Sequence, residues 1–143
     1  MIIKSKKTVF TNGCFDILHV GHIKYLEAAK KHGDFLIIGL NSDSSVRFLK
    51  GPSRPINTAY DRATILRSIR CVDEVIEFDE PTPLGLITSI RPDVLVKGGD
   101  YTKDAIVGAD FVSSYGGTVI VECLIHGKST TTIIEKIVKW QNL

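Results

Sequence analysis

Short apolar runs alternate with segments of helical period from one end of this chain to the other, and that alternation is what a parallel sheet with helical crossovers requires. Strands are predicted at Thr8 to Thr11, Phe35 to Leu40, Val72 to Phe78, Val94 to Val96 and Thr118 to Val121. Between the first two, Val20 to His32 sets Ile23, Leu26, Ala28 and Ala29 against Lys24, Lys30 and Lys31, an amphipathic helix stopped at Gly33. Helices are also predicted over Asn57 to Arg70, Pro83 to Ile90, Ala105 to Tyr115 and Thr132 to Trp140, with an irregular Gly/Pro loop from Lys50 to Pro55. The expected architecture is an open parallel α/β sheet with helices on both faces. Ligands of such sheets gather beyond the carboxyl ends of the strands, where the strand order changes direction.

The 143 residues, 43% of them hydrophobic, fill one core and not two, so a single domain over residues 1–143 is expected. Cys14, Cys71 and Cys123 are odd in number, widely separated and form no C-x-x-C pair. That argues against a disulfide framework or structural zinc, and for a reducing, cytoplasmic setting. Eighteen basic and sixteen acidic side chains are interspersed and leave a net charge of +2, which points to neither a nucleic-acid groove nor an anionic membrane patch. The apolar runs are strand-sized, far short of the ~20 residues that span a bilayer. Met1 to Lys7 lacks the apolar run of a signal peptide.

Chemistry concentrates at the end of the first strand, in Thr11-Asn12-Gly13-Cys14-Phe15-Asp16 followed by Ile17-Leu18-His19-Val20-Gly21-His22. Gly13 is expected to turn the backbone toward an anion, and the helix that starts near His19 aims free N–H groups and a positive dipole end at the same place. A helix end contributes only about 0.3–1 kcal/mol toward an anion, so further donors are needed. His19 and His22, three apart on one helical face, provide them, and Gly21 removes a side chain that would block a ligand. Two histidines at this spacing could also ligate zinc, but no third ligand follows at a usual interval, and no metal site is assigned. A second cluster, Gly127-Lys128-Ser129-Thr130-Thr131-Thr132, stands at the mouth of the last helix. Its hydroxyls serve helix capping, through a Thr132–Glu135 box or through Ser129, or a second phosphate cradle.

The first cluster reads G-x-F-D-x-x-H-x-G-H and resembles the signature of the HxGH nucleotidyltransferase superfamily, which includes the cytidylyltransferases and the pantetheine-phosphate adenylyltransferases. Asn41-Ser42-Asp43, Leu49-Lys50-Gly51, Ser53-Arg54-Pro55, Arg62, Val72-Asp73, Leu95 to Tyr101 and Ser129-Thr130-Thr131 extend the likeness over nearly the whole chain, and are most similar to heptose 1-phosphate adenylyltransferases. The resemblance implies a Rossmann-like fold and transfer of AMP from ATP, with Mg²⁺, to D-glycero-D-manno-heptose 1-phosphate. It assigns His19, His22 and Lys50 to catalysis. It assigns Thr11, Asn12, Gly13, Cys14, Phe15, Gly21, Arg62, Gly98, Asp100, Ser129, Thr130 and Thr131 to the nucleotide. Asn12, Asp16, Asn41, Arg54 and Lys97 fall to the acceptor sugar phosphate, although Asp16 could equally cap the following helix. A homodimer and a separate heptose kinase acting upstream are further implications.

Cytidylyltransferases of this superfamily carry an arginine-threonine pair shortly before the Ser-Thr-Thr element, where this chain reads Cys123-Leu124-Ile125-His126-Gly127-Lys128. ATP is therefore expected over CTP. A glycerol 3-phosphate or other polyol-phosphate cytidylyltransferase is the alternative within the same chemistry, and a non-catalytic nucleotide-binding module is the alternative outside it. Cys14 is expected to act through its backbone N–H, since no neighbouring base marks it as a nucleophile.

Overall fold

Neighbouring residues of a strand point to opposite faces of its sheet, and here both sets are buried. Val9, Leu36 and Val94 belong to one core, Phe10, Ile37 and Leu95 to the other, and each is at most 8% exposed. The computed structural model that shows this describes residues 5–99 and 101–142. Residues 1–4 of the N-terminal segment, Asp100 and Leu143 lie outside the described residues.

The elements follow in the order β1 (Thr8–Gly13), α1 (Val20–Lys30), β2 (Phe35–Asn41), α2 (Asp43–Lys50), α3 (Ala59–Arg67), β3 (Glu74–Phe78), α4 (Leu84–Ile90), β4 (Val94–Gly98), α5 (Ala109–Ser114), β5 (Thr118–Glu122) and α6 (Thr130–Gln141). All five strands are parallel in the order β3-β2-β1-β4-β5. The chain winds outward from β1 to β3, returns to the other side of β1, and winds outward again. The order thus reverses between β1 and β4, and the carboxyl ends of those two strands frame the crevice such a sheet reserves for ligands. Tyr25, Leu26 and Ala29 of α1 with Ala63 and Leu66 of α3 cover one face. Ile87 of α4 with Ala109 and Val112 of α5 cover the other.

The expected architecture is present, and three local differences bear on the crevice. Helix α2 was not anticipated: it is only eight residues long and carries just three large apolar side chains, Val46, Phe48 and Leu49, too short a run for its period to be read in sequence. Its Ser42 cap accepts from the Ser45 N–H at 3.2 Å. The segment expected as one helix from Ala105 is a 3₁₀ turn, Lys103–Ala105, then α5, because Gly108 at φ +88° interrupts it. Helix α6 begins at Thr130, two residues before the expected start. Ser129 is its cap and accepts from the Thr132 N–H at 3.0 Å, so the expected Thr132–Glu135 box is not its start.

Candidate active site

One cavity of about 650 Å³ opens at the carboxyl ends of the strands, within the range that takes a nucleotide-sized ligand. Asn12, Gly13, Cys14, Phe15 and Asp16 form its floor, and the mouths of α1 and α6 line it from two sides. The two mouths are joined directly: Thr130 Oγ1 donates to the Ile17 carbonyl at 3.0 Å.

At the α1 mouth the sequence builds a reciprocal cap from two imidazoles. His19 is the N-cap residue, in extended backbone, and its Nδ1 accepts the Gly21 N–H at 3.1 Å; His22 Nδ1 accepts the His19 N–H at 3.3 Å. A ring nitrogen that accepts a hydrogen bond carries no proton, so this network assigns both neutral rings the tautomer protonated at Nε2. The rings lie 3.9 Å apart between centroids at 31°, and the Phe15 ring stands 5.4 Å from His22. Burial, then the neighbouring His19, pushes the His22 pKa down to about 4, while burial and Lys128 lower that of His19. At neutral pH the pair thus offers two uncharged N–H donors.

Gly21 is needed for this cap more than for ligand access. A Cβ there would meet the His19 ring at 2.8 Å and Lys128 Cβ at 3.4 Å. The left-handed residue of the loop is likewise not Gly13, which ends β1, but Phe15 at φ +46°. A buried aromatic residue held in that conformation is strained, and the Phe15 ring covers Gly13, whose added Cβ would lie 2.9 Å from it.

At the α6 mouth, the Ser129 hydroxyl is occupied by Thr132, through its N–H and its hydroxyl at 2.8 Å. The free donors among the described residues are the N–H groups of Thr130 and Thr131, together with the exposed Thr131 hydroxyl.

Three residues expected to touch ligand are committed elsewhere. Arg62 is 1% exposed and does not line the cavity. Its guanidinium donates to the carbonyls of Asn57, Cys14 and Asn41 and to the Asp43 carboxylate, all between 2.7 and 3.0 Å, which ties the β1, β2 and α3 loops together. Thr11 is fully buried, with its hydroxyl 2.5 Å from that of Tyr25. Asp16 borders the cavity but its carboxylate accepts from Arg54 Nε at 2.9 Å, from the Ile56 N–H and from the Asn57 N–H. Burial works to raise its pKa, and those donors more than offset it and hold the group ionised. It therefore pins the 54–57 loop, and His19, not Asp16, caps α1.

Lys50, Arg54, Lys97, Gly98 and Asn41 do line the cavity, as do Ser129, Thr130 and Thr131, whereas Asp100 lies outside the described residues. Burial lowers the Lys97 pKa, with Cys14 opposing and Lys50 adding to the shift; its amine lies 5.5 Å from the Tyr101 ring centroid. Burial raises the Cys14 pKa despite the opposing charges of Lys50, Arg62 and Arg54, so it remains a thiol. Tyr25 was not singled out, and Leu124, Ile125 and Lys128 were given no site role, yet all four line the cavity. Tyr25 sits within a helical stripe that reads as core, and its hydroxyl donates to the Val96 carbonyl at 3.3 Å. Lys128 falls inside the second cluster, where only the hydroxyl residues carried an assignment.

A family model described as cytidylyltransferase-like matches residues 10–140. The chain belongs to the cytidylyltransferase-like family. It is 59% identical over 134 residues to the bifunctional protein HldE of Syntrophotalea carbinolica, which covers 94% of this chain and 27% of that protein. It is 57% identical over 136 residues to HldE of Geobacter sulfurreducens, covering 95% and 28%. The chain thus spans just over a quarter of the length of these curated relatives. Among solved structures, the lipopolysaccharide core biosynthesis protein of Thermoplasma volcanium superposes with a TM-score of 0.68 at 29% identity, covering 85% of this chain and 98% of that one. As a cytidylyltransferase-like domain the chain is a nucleotidyltransferase, with a Rossmann-like parallel sheet. No helix of the described residues is long and apolar enough to cross a membrane.

Proposed function

We propose that this domain transfers AMP from MgATP to a heptose 1-phosphate, giving ADP-heptose and pyrophosphate. The observation that carries this reading is that both helix mouths, the first bearing the paired imidazoles, face one cavity of nucleotide size. The relatives named HldE support the heptose class of acceptor, and the apolar wall of Leu124 and Ile125 supports a base read by packing.

The reaction is a single in-line displacement. An oxygen of the sugar 1-phosphate forms a bond to the α-phosphorus as the bond to the bridging oxygen breaks, and pyrophosphate leaves with that electron pair. The attacking phosphate is already ionised at neutral pH, so a general base adds little. Catalysis then consists of aligning two polyanions and compensating charge at the α-phosphoryl group and the departing oxygen. Nε2–H of His19 and of His22 face the α-phosphoryl oxygens, with the N–H groups of Cys14 and Phe15 behind them. Thr130 and Thr131 hold the terminal phosphates, and Lys50 draws in the acceptor phosphate. Mg²⁺ enters as part of the nucleotide substrate, bound by phosphate oxygens and water. Among the described residues no group of three or more His, Cys, Asp or Glu is arranged to hold a metal ion. Arg62 and Asp16 act as positioning residues. We place the reaction in the cytoplasm, downstream of a heptose kinase, in keeping with three free cysteines. A homodimer belongs to the same reading.

The test incubates the protein with each nucleoside triphosphate, Mg²⁺ and either anomer of heptose 1-phosphate, and follows pyrophosphate release and product mass. ADP-heptose formed from ATP is the expected result. Preference for CTP with a polyol phosphate would replace the reading by the cytidylyltransferase alternative, and nucleotide binding without turnover would leave a non-catalytic module.

A further inference from the structure

Adenylyl transfer needs positive charge at the leaving oxygen, and the histidines do not provide it as neutral donors. Four cationic side chains other than the histidines line the cavity: Lys50, Arg54, Lys97 and Lys128. Arg54 is paired through Nε with Asp16, and Lys97 lies over the Tyr101 ring in a half-buried position. Lys50, at the end of α2, acts on Cys14 and Lys97. Lys128 differs from all three. Like Lys50 and Lys97 it forms no ion pair with any described residue, but it alone of the four stands immediately before the α6 cap and packs its Cβ toward Gly21 between the two histidines. Its charge is felt at His19. It thus belongs to both mouths at once: in sequence to the one with the Thr130 and Thr131 N–H groups, in space to the one with the imidazoles.

We propose that Lys128 is a catalytic residue of this site, the cation that reaches the bridging oxygen between the α- and β-phosphates and neutralises it as the bond breaks. It donates N–H hydrogen bonds and transfers no proton, so the displacement stays balanced as written above. The proposal deepens the adenylyl-transfer reading and rests on it. A lysine ammonium on a flexible stem suits this task, because it can follow the oxygen as charge builds while the capped imidazoles stay fixed.

Lys128→Gln and Lys128→Arg test it. With MgATP and heptose 1-phosphate, the Gln variant should lose on the order of 10²-fold in kcat with KM for ATP changed only a few-fold, and the Arg variant should recover at least about tenfold of that loss. A second readout needs no turnover: ¹⁵N NMR of the unliganded protein should show the His19 titration moving to higher pH in the Gln variant. A Gln variant with near wild-type kcat, or a His19 titration that does not move, overturns the role of Lys128 while leaving adenylyl transfer standing. Absence of turnover in the wild-type protein removes the adenylyl-transfer reading itself, and the proposal with it.

Discussion

The two helix mouths do similar electrostatic work but are built differently. Helix α1 buries Tyr25, Leu26 and Ala29 under the sheet and closes its own first turn with a cap made of its two imidazoles. Helix α6 buries none of its residues fully, exposes Ile137, Val138 and Trp140, and meets the first mouth through one hydroxyl of Thr130. A donor that must sit within a few tenths of an ångström of a pentacoordinate phosphorus belongs on the rigid mouth. Donors for the terminal phosphates, which must admit substrate and release pyrophosphate, can sit on the looser one. On the proposed reading, the difference gives chemistry to the α1 imidazoles, with Lys128 packed against them, and capture and release to the Thr130 and Thr131 donors of α6.

Substitutions that treat the two mouths alike break or sharpen this contrast. The largest effect is expected in turnover: His22→Ala or His19→Ala should cost about 2.7–4 kcal/mol, roughly 10²–10³ in kcat, with the circular dichroism spectrum retained. Thr131→Ala at the other mouth should cost about tenfold, mainly in KM for the nucleotide. A kcat loss in Thr131→Ala equal to that of the histidine variants would remove the division of labour. Stability should separate them next: Leu26→Ala should lose about 3 kcal/mol in denaturant unfolding, whereas Ile137→Ala should stay within about 0.5 kcal/mol.

Acid should act on the first mouth more than on the second. The His22 pKa is near 4 in the folded chain, below the ordinary 6.5, so the unfolded chain binds the proton more tightly. The stability this ring contributes is complete above pH 6.5 and is lost as pH falls toward 4. For a partly buried ring the change is on the order of 1–2 kcal/mol after solvent screening, and the slope of stability against pH over that window should be shallower in His22→Gln. Ser129→Ala should cost about 1 kcal/mol of stability from the lost cap, with KM for the nucleotide raised because the Thr130 and Thr131 N–H groups lose their orientation.

Much of this was legible in sequence. Alternation of apolar runs placed all five strands, and H-x-G-H after a strand fixed the first mouth. What escaped has definite physical causes. Helix α2 is eight residues long, too short for its few apolar positions to announce a helical period. Arg62 and Asp16 carry residue types that usually meet ligand, yet their partners, the Cys14 and Asn41 carbonyls, the Asp43 carboxylate and the Ile56 and Asn57 N–H groups, lie at least 19 positions away in the chain, the Asn57 carbonyl beside Arg62 excepted. Sequence spacing says nothing about such closures. The role of Gly21 was visible as a need for space, but the space is taken by the His19 ring. Lys128 was hidden by being one of many surface lysines, and only the approach of α6 to α1 distinguishes it.

The central claim is that one triphosphate bridges the two mouths, and a crystal structure with a non-hydrolysable MgATP analogue tests it most directly. The account predicts the α-phosphoryl oxygens against Nε2 of His19 and His22, and the terminal phosphates on the Thr130 and Thr131 N–H groups. A triphosphate bound with its α-phosphorus away from both imidazoles, or lying on one mouth alone, would contradict it.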